Sequence, residues 1–135
     1  MKNDNNFSIT TETKLGFDEV IELATNLLAE RGFGILTEID VKATLKKKLD
    51  IDYKPYRILG ACNPSYAHGA LNLEPYIGVL MPCNVVVWDN GDHRIVTAMD
   101  PRAVFTIIDK PEVHEVAKEV YQKLYEVIKG IEEAG

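Results

Sequence analysis

Two cysteines and one histidine are the side chains of this sequence best suited to perform chemistry together. Cys62, His68 and Cys83 all lie between Tyr56 and Trp88, a stretch that also holds three of the six prolines and the only tryptophan. Thiolate sulfur and imidazole nitrogen are ligands that Zn²⁺ prefers in proteins. The residue types therefore predict a site for zinc or another soft metal, with Cys62, His68 and Cys83 as its protein ligands.

The fourth ligand of such a site would be a water molecule or a carboxylate, and Glu38 and Glu74 are the candidates. The spacing is less specific than that of a zinc finger, because the sequence has no Cys-x-x-Cys pair. Free cysteine is also among the most buried residue types in proteins. The alternative is therefore that Cys62 and Cys83 are small core residues.

A reactive thiol is a second interpretation of the same residues. Cys62 would be the nucleophile and His68 the general base, with helix N–H groups as an oxyanion hole. The two cysteines could instead cycle between dithiol and disulfide. No acid that would orient the histidine stands at a recognisable spacing, so the sequence leaves these alternatives open.

The elements around the cysteines explain why they are expected to meet. Residues 56–61 and 83–88 read as the third and fourth strands of a sheet, and antiparallel neighbours would bring Cys62 and Cys83 to one edge. Asn63 followed by Pro64 is typical of a helix start, and the helix dipole there would favour a thiolate at Cys62. Asn63, Asn84 and Glu38 are the candidates for binding a cofactor or small ligand at this edge.

The rest of the chain alternates between strand and helix patterns. Residues 77–81 are ambiguous between a strand and a buried turn of helix. Asn90-Gly91 is a strong signal for a two-residue hairpin turn between the fourth and fifth strands. The further strands are expected at residues 7–11, 33–39 and 94–99, and the helices at 17–31, 41–49, 63–73, 101–105 and 113–128. Gly32 is suited to a left-handed cap at the end of the first helix. Asp100-Pro101 repeats the helix-start signal of Asn63-Pro64, and the alternative there is a continuation of the fifth strand.

These elements predict an α+β fold in which an antiparallel sheet packs on helices. We expect a single domain over residues 1–135, with its core at about residues 7–130. Valines on both faces of the fourth strand indicate that both faces are buried. A homodimer would cover the far face, and the alternative is that residues 77–81 cover it internally.

The composition limits the kinds of partner that the protein could bind. The formal charge of −6 argues against nucleic acid, whose phosphates would be repelled on average. No apolar run is long enough to span a membrane, and residues 1–6 do not have the pattern of a secretory signal. We therefore expect a cytoplasmic protein with reduced thiols, whose partners are a second copy and a small molecule or metal.

Residues 60–64, which read GACNP, and residues 80–87, which read LMPCNVVV, resemble an uncharacterised bacterial and archaeal family. It is known as domain of unknown function 302. Residues 32–40 and 56–58 are also similar, and the likeness extends over residues 7–128. The resemblance implies a fold like that of the TATA-binding protein, in which elements in the order β-α-β4-α form a curved antiparallel sheet with helices. In this chain, extra short helices would be added to that order. It implies neither DNA binding nor any activity, since fold is not function.

Three hypotheses for the function follow. The first is a small binding or regulatory domain, homodimeric, with a metal or small ligand near Cys62, His68 and Cys83. The second is a thiol-dependent enzyme or redox protein that uses Cys62. The third is a structural or interaction domain without a ligand.

Overall fold

The structure is a computed structural model that describes residue 1 and residues 5–135 of the chain. The N-terminal segment at residues 1–6, which bears on the predicted cytoplasmic location, lies partly outside the described residues. None of the described helices combines the length and the apolar character needed to cross a membrane.

Within the described residues, five strands form one antiparallel sheet in the order β1-β5-β4-β3-β2. The hairpin predicted at Asn90-Gly91 joins β4 to β5, but its loop spans residues 90–93 and not the predicted two residues. Gly91 in this loop has a positive φ of 93°. The strands are β1 (Ser8–Thr13), β2 (Gly34–Asp40), β3 (Tyr56–Cys62), β4 (Cys83–Asp89) and β5 (Arg94–Met99).

In the part of the chain that the structure describes, five α-helices accompany the sheet: α1 (Phe17–Glu30), α2 (Val41–Leu49), α3 (Pro64–Leu73), α4 (Pro101–Val104) and α5 (Pro111–Ala134). Two short 3₁₀ helices lie at Pro75–Leu80 and Phe105–Ile107. The first of these resolves the ambiguity at residues 77–81, which form no strand. The predicted α+β class, with an antiparallel sheet packed on helices, is confirmed.

The core lies between one face of the sheet and the two long helices. Val85 and Val87 of β4 are fully buried on this face, where they meet Leu28 of α1 and Leu124 and Ile128 of α5. Burying a large aliphatic side chain stabilises a fold by about 1.5–3 kcal/mol. The two helices therefore hold the sheet from one side, and the intervening residues of β4 point the other way.

The turn after α1 leads the chain into β2. Gly32 adopts a φ of 85°, and its N–H and that of Phe33 donate to the carbonyl groups of Ala29 and Leu28. A residue without a Cβ atom reaches this conformation at no steric cost. The predicted glycine C-cap is confirmed, and it sends β2 back along the edge of β3.

Candidate functional site

A cavity of about 260 Å³ lies where β3 ends and β4 begins. The end of the sheet forms one wall, and α3 and α5 form the others. Its lining is almost entirely apolar and includes Phe33, Ala61, Ala70, Met81, Phe105 and Val120.

Both cysteines line this cavity, and neither is in a disulfide. The register explains their position, because Cys83, the first residue of β4, lies opposite Ala61, the residue before Cys62. The structure therefore brings Cys62, Cys83 and Asn63 to one site at the sheet edge.

The Cys83 thiol lies in an environment that disfavours its ionisation. Burial, and secondarily the nearby Cys62, raise the pKa of the Cys83 thiol to about 12. Removing a thiol from water penalises the thiolate more than the neutral form. At neutral pH, Cys83 is therefore a protonated, weakly polar group and neither a nucleophile nor a ready metal ligand.

Asn63 has a different role from the predicted helix cap. It occupies the N-cap position of α3, yet its side chain makes no capping hydrogen bond there. Its Nδ2 instead donates to the backbone carbonyl of Arg31, at 3.2 Å. Helix C-termini leave carbonyl groups without intrahelical partners, and the amide satisfies one of these at the end of α1.

His68 is not part of the cavity. The side of α3 that faces the cavity carries Tyr66, Ala67, Ala70 and Leu71, and at 3.6 residues per turn position 68 lies away from that side. The His68 ring is exposed, with its Nε2 3.3 Å from Nδ2 of Asn72. The Cys62–His68 catalytic pair therefore gains no support from this arrangement.

The predicted zinc site is also not formed. Among the residues that the structure describes, no three His, Cys, Asp or Glu side chains come together to hold a metal ion. The three predicted ligands do not meet, because His68 lies on the side of α3 that faces away from Cys62 and Cys83.

The predicted carboxylates have other partners. Glu38 accepts a hydrogen bond of 2.6 Å from Arg57. Glu74 caps the first 3₁₀ helix by accepting from the N–H of Tyr76, and it pairs with Lys110 at 3.1 Å. The hydrogen bond from Tyr76, together with Lys110, lowers the pKa of Glu74 below its usual value. Neither carboxylate lines the cavity.

Asn84, also a candidate, lies on the opposite face of the sheet. Side chains alternate along a strand, so Asn84 points away from the face that Cys83 and Val85 share. It lines a separate groove on that far face.

Sequence reasoning missed the residues that enclose the cavity. The cavity is closed by Phe105 of the second 3₁₀ helix and by Val116 and Val120 of α5. These residues come much later in the sequence than the cysteines. The helical spacing of Tyr66, Ala67, Ala70 and Leu71 marks a packed face. Periodicity carries no information on whether a packed face leaves an empty volume.

Residues 9–131 match the model of the family described as domain of unknown function DUF302. The chain belongs to this family. The resemblance predicted from the GACNP and LMPCNVVV segments is thereby confirmed, and DUF302 membership covers almost the whole sheet and all five helices.

A solved DUF302 structure has the same architecture. It is a crystal structure of an uncharacterised conserved protein from Bacillus stearothermophilus, with 27% identity and a TM-score of 0.85. The match covers 91% of this chain and 96% of the other. No curated protein matches the chain. Family membership thus defines the fold, and the cavity is the feature that bears on function.

Proposed function

We propose that this protein is a small-molecule-binding domain whose ligand occupies the cavity between β3, β4, α3 and α5. The cavity itself is the observation that carries the proposal: about 260 Å³ of space, lined by apolar side chains and a few polar groups. Well-packed cores contain few voids larger than a water molecule. An apolar concavity with a small number of convergent polar groups is typical of ligand sites.

The lining defines the class of ligand. The described residues around the cavity include no charged side chain, and the Cys83 thiol is held neutral by burial. A charged ligand would lose its hydration without gaining an ion pair. The ligand is therefore an uncharged, largely apolar molecule.

The cavity volume sets the scale of that molecule. An apolar protein cavity of about 150 Å³ can bind benzene. The cavity here is larger, so it suits one or two fused rings or a short branched hydrocarbon. Asn63 lines the cavity, and because its Nδ2 donates to the carbonyl of Arg31, its Oδ1 is the atom that would accept a hydrogen bond from the ligand. A single hydroxyl or amine on the ligand would match it.

A neutral fluorescent probe tests the proposal. 1-Naphthylamine is uncharged at neutral pH, has two fused rings and an N–H donor, and its emission shifts to shorter wavelength in apolar surroundings. We expect saturable one-to-one binding to the wild-type protein. The Ala67→Leu variant, which fills the cavity from α3, should bind at least about tenfold more weakly, because the added methyl groups occupy the ligand's space.

The matched control is Ala43→Leu, the same substitution on the exposed surface of α2. It should bind the probe like the wild type. Absence of saturable binding, or equal binding by the two leucine variants, would refute the proposal and favour an interaction domain without a ligand.

The thiol-dependent enzyme is the competing function. It requires Cys62 to be alkylated faster than a free thiol at neutral pH, whereas the binding domain requires no such activation. The proposal includes a cytoplasmic location, where glutathione and thioredoxin keep both thiols reduced.

A further inference from the structure

We propose that the sheet face turned away from the helices is the contact surface of a homodimer. We call it the open face. It is separate from the cavity, and its central residues are Tyr56 and Ile58 of β3, Val86 and Trp88 of β4, and Ile95 and Thr97 of β5, which the strand register places side by side.

The open face has the composition of a buried surface. Ile58 lies opposite Val86 and Tyr56 opposite Trp88, with the two rings stacked at 5.5 Å and an interplanar angle of 7°. Antiparallel sheets with a solvated face usually alternate apolar residues inside with polar residues outside. The open side of β3 and β4 is apolar except for Asn84 at the start of β4. We therefore infer that the open face is covered in solution.

The charge distribution permits a second copy as the cover. The chain carries a formal charge of −6, yet the described strand residues on the open face include one charged group, Glu12 on the edge strand β1. A two-fold contact sets each patch against itself, so a charged patch would repel its own copy. A neutral face is what such self-association requires.

The size of the open face suits a dimer. Five strands of six or seven residues cover about 24 Å by about 22 Å at the usual strand spacing and rise. This corresponds to roughly 500 Å² in projection, and side-chain relief increases the accessible area. Stable interfaces bury from about 600 Å² per partner upwards, so the open face lies at the lower end of the range for a stable dimer.

The shape of the open face is self-complementary. A groove of about 620 Å³ crosses it, with Tyr56 and Trp88 at one end and Phe7 and Val104 diagonally opposite. The side chain of Phe7 is 59% exposed. A two-fold axis through the groove would bring the aromatic pair of each copy onto Phe7 and Val104 of the other.

Sedimentation equilibrium tests the proposal with matched substitutions. The wild-type protein should have twice the mass of one chain at about 10 µM. Val86→Asp, at the centre of the open face, should raise the dissociation constant at least about 30-fold, as expected for a central interface residue. Val79→Asp, at a position 85% exposed on the first 3₁₀ helix, should leave the dimer intact.

A wild-type monomer at about 100 µM would overturn the proposal, and a small molecule or a different protein would then be the cover. A dimer unaffected by Val86→Asp would overturn it too. If Val86→Asp does not fold, Thr97→Arg on β5 replaces it.

Dilution of the wild type should also shift the emission of Trp88 to longer wavelength as the face meets water, and unchanged emission across dissociation would contradict the proposal.

Discussion

The side-chain amide of Asn63 donates a hydrogen bond to the backbone carbonyl of Arg31, 32 positions earlier in the chain. This contact joins the end of α1 to the start of α3 beside the cavity, which Asn63 lines. It also explains the glycine at position 32, where an added Cβ would lie 3.0 Å from Asn63 Nδ2. The asparagine therefore fixes one cavity wall, α3, to the end of α1.

Replacing the donor should loosen this junction. Asn63→Asp keeps the shape of the side chain but removes the N–H, and it turns a carboxylate oxygen towards a carbonyl. We expect the free energy of unfolding to fall by about 1–3 kcal/mol, the cost of leaving a partly buried partner unsatisfied. Urea denaturation measures the change. The control, Asn72→Asp on the exposed side of α3, should change stability by less than about 0.5 kcal/mol, and equal effects would contradict the assigned role.

The Cys83 thiol should make stability depend on alkaline pH. Its pKa in the folded protein is raised from 9.0 to about 12, so the unfolded chain loses this proton first. The stability associated with the neutral thiol is present below pH 9 and is lost as pH rises from about 9 to about 12. Between pH 8 and pH 10.5, the wild type should therefore lose more stability than Cys83→Ala does.

Tyrosines also titrate in this range, and burial raises the pKa of Tyr56. Both proteins share the tyrosines, so the difference between them isolates the cysteine. Parallel curves of unfolding free energy against pH would show that the thiol is not buried as described.

Gly60 of β3 should not tolerate a side chain. A Cβ atom there would approach Thr37 Oγ1 to 2.2 Å and Pro82 Cγ to 2.9 Å. Gly60→Ala should cost about 1–3 kcal/mol, as overpacking does, and Thr37→Ala in the same chain should recover part of that loss. Thermal unfolding gives the comparison.

The control for this prediction is Gly69→Ala in α3, where an added Cβ has no neighbour within 4 Å. Alanine is favoured over glycine inside a helix by about 0.5–1 kcal/mol, so this variant should be stabilised. Opposite signs for the two alanine variants support the β2–β3 register, whereas the same sign would contradict it.

Much of the fold could be predicted because its signals are local. The Asn90-Gly91 turn and the glycine after α1 each depend on a backbone conformation that few residues adopt. The Asp100-Pro101 pair likewise starts α4, with the Asp100 side chain accepting from Arg102. Residues 77–81 were ambiguous because an apolar run of five has no periodicity to read.

The candidate site was predicted in part. Strand pairing alone brings Cys62 and Cys83 to one edge, and both line the cavity. His68 was placed with them on sequence distance, whereas the rotation of α3 decides which side chains face inward. The sequence could not predict that Phe105 and Val120 line the same cavity as the cysteines. Their positions depend on how α5 and the segment before it pack on the sheet.

Phe105 should be the residue that contributes most to closing the cavity. It is 3% exposed, whereas Ile107 in the same 3₁₀ helix is 74% exposed. Phe105→Ala should lower the free energy of unfolding by about 3–5 kcal/mol, since it removes a buried ring and enlarges the cavity. Ile107→Ala should stay within about 0.5 kcal/mol of the wild type, and comparable losses in both variants would contradict the packing described.

The most direct test of the binding proposal is a crystal soaked with iodobenzene, because anomalous scattering locates the iodine without ambiguity. The ligand account predicts an iodine peak between Ala70, Cys83 and Phe105 in the wild type and its loss in Ala67→Leu. A wild-type cavity without a peak at saturating iodobenzene would contradict the account.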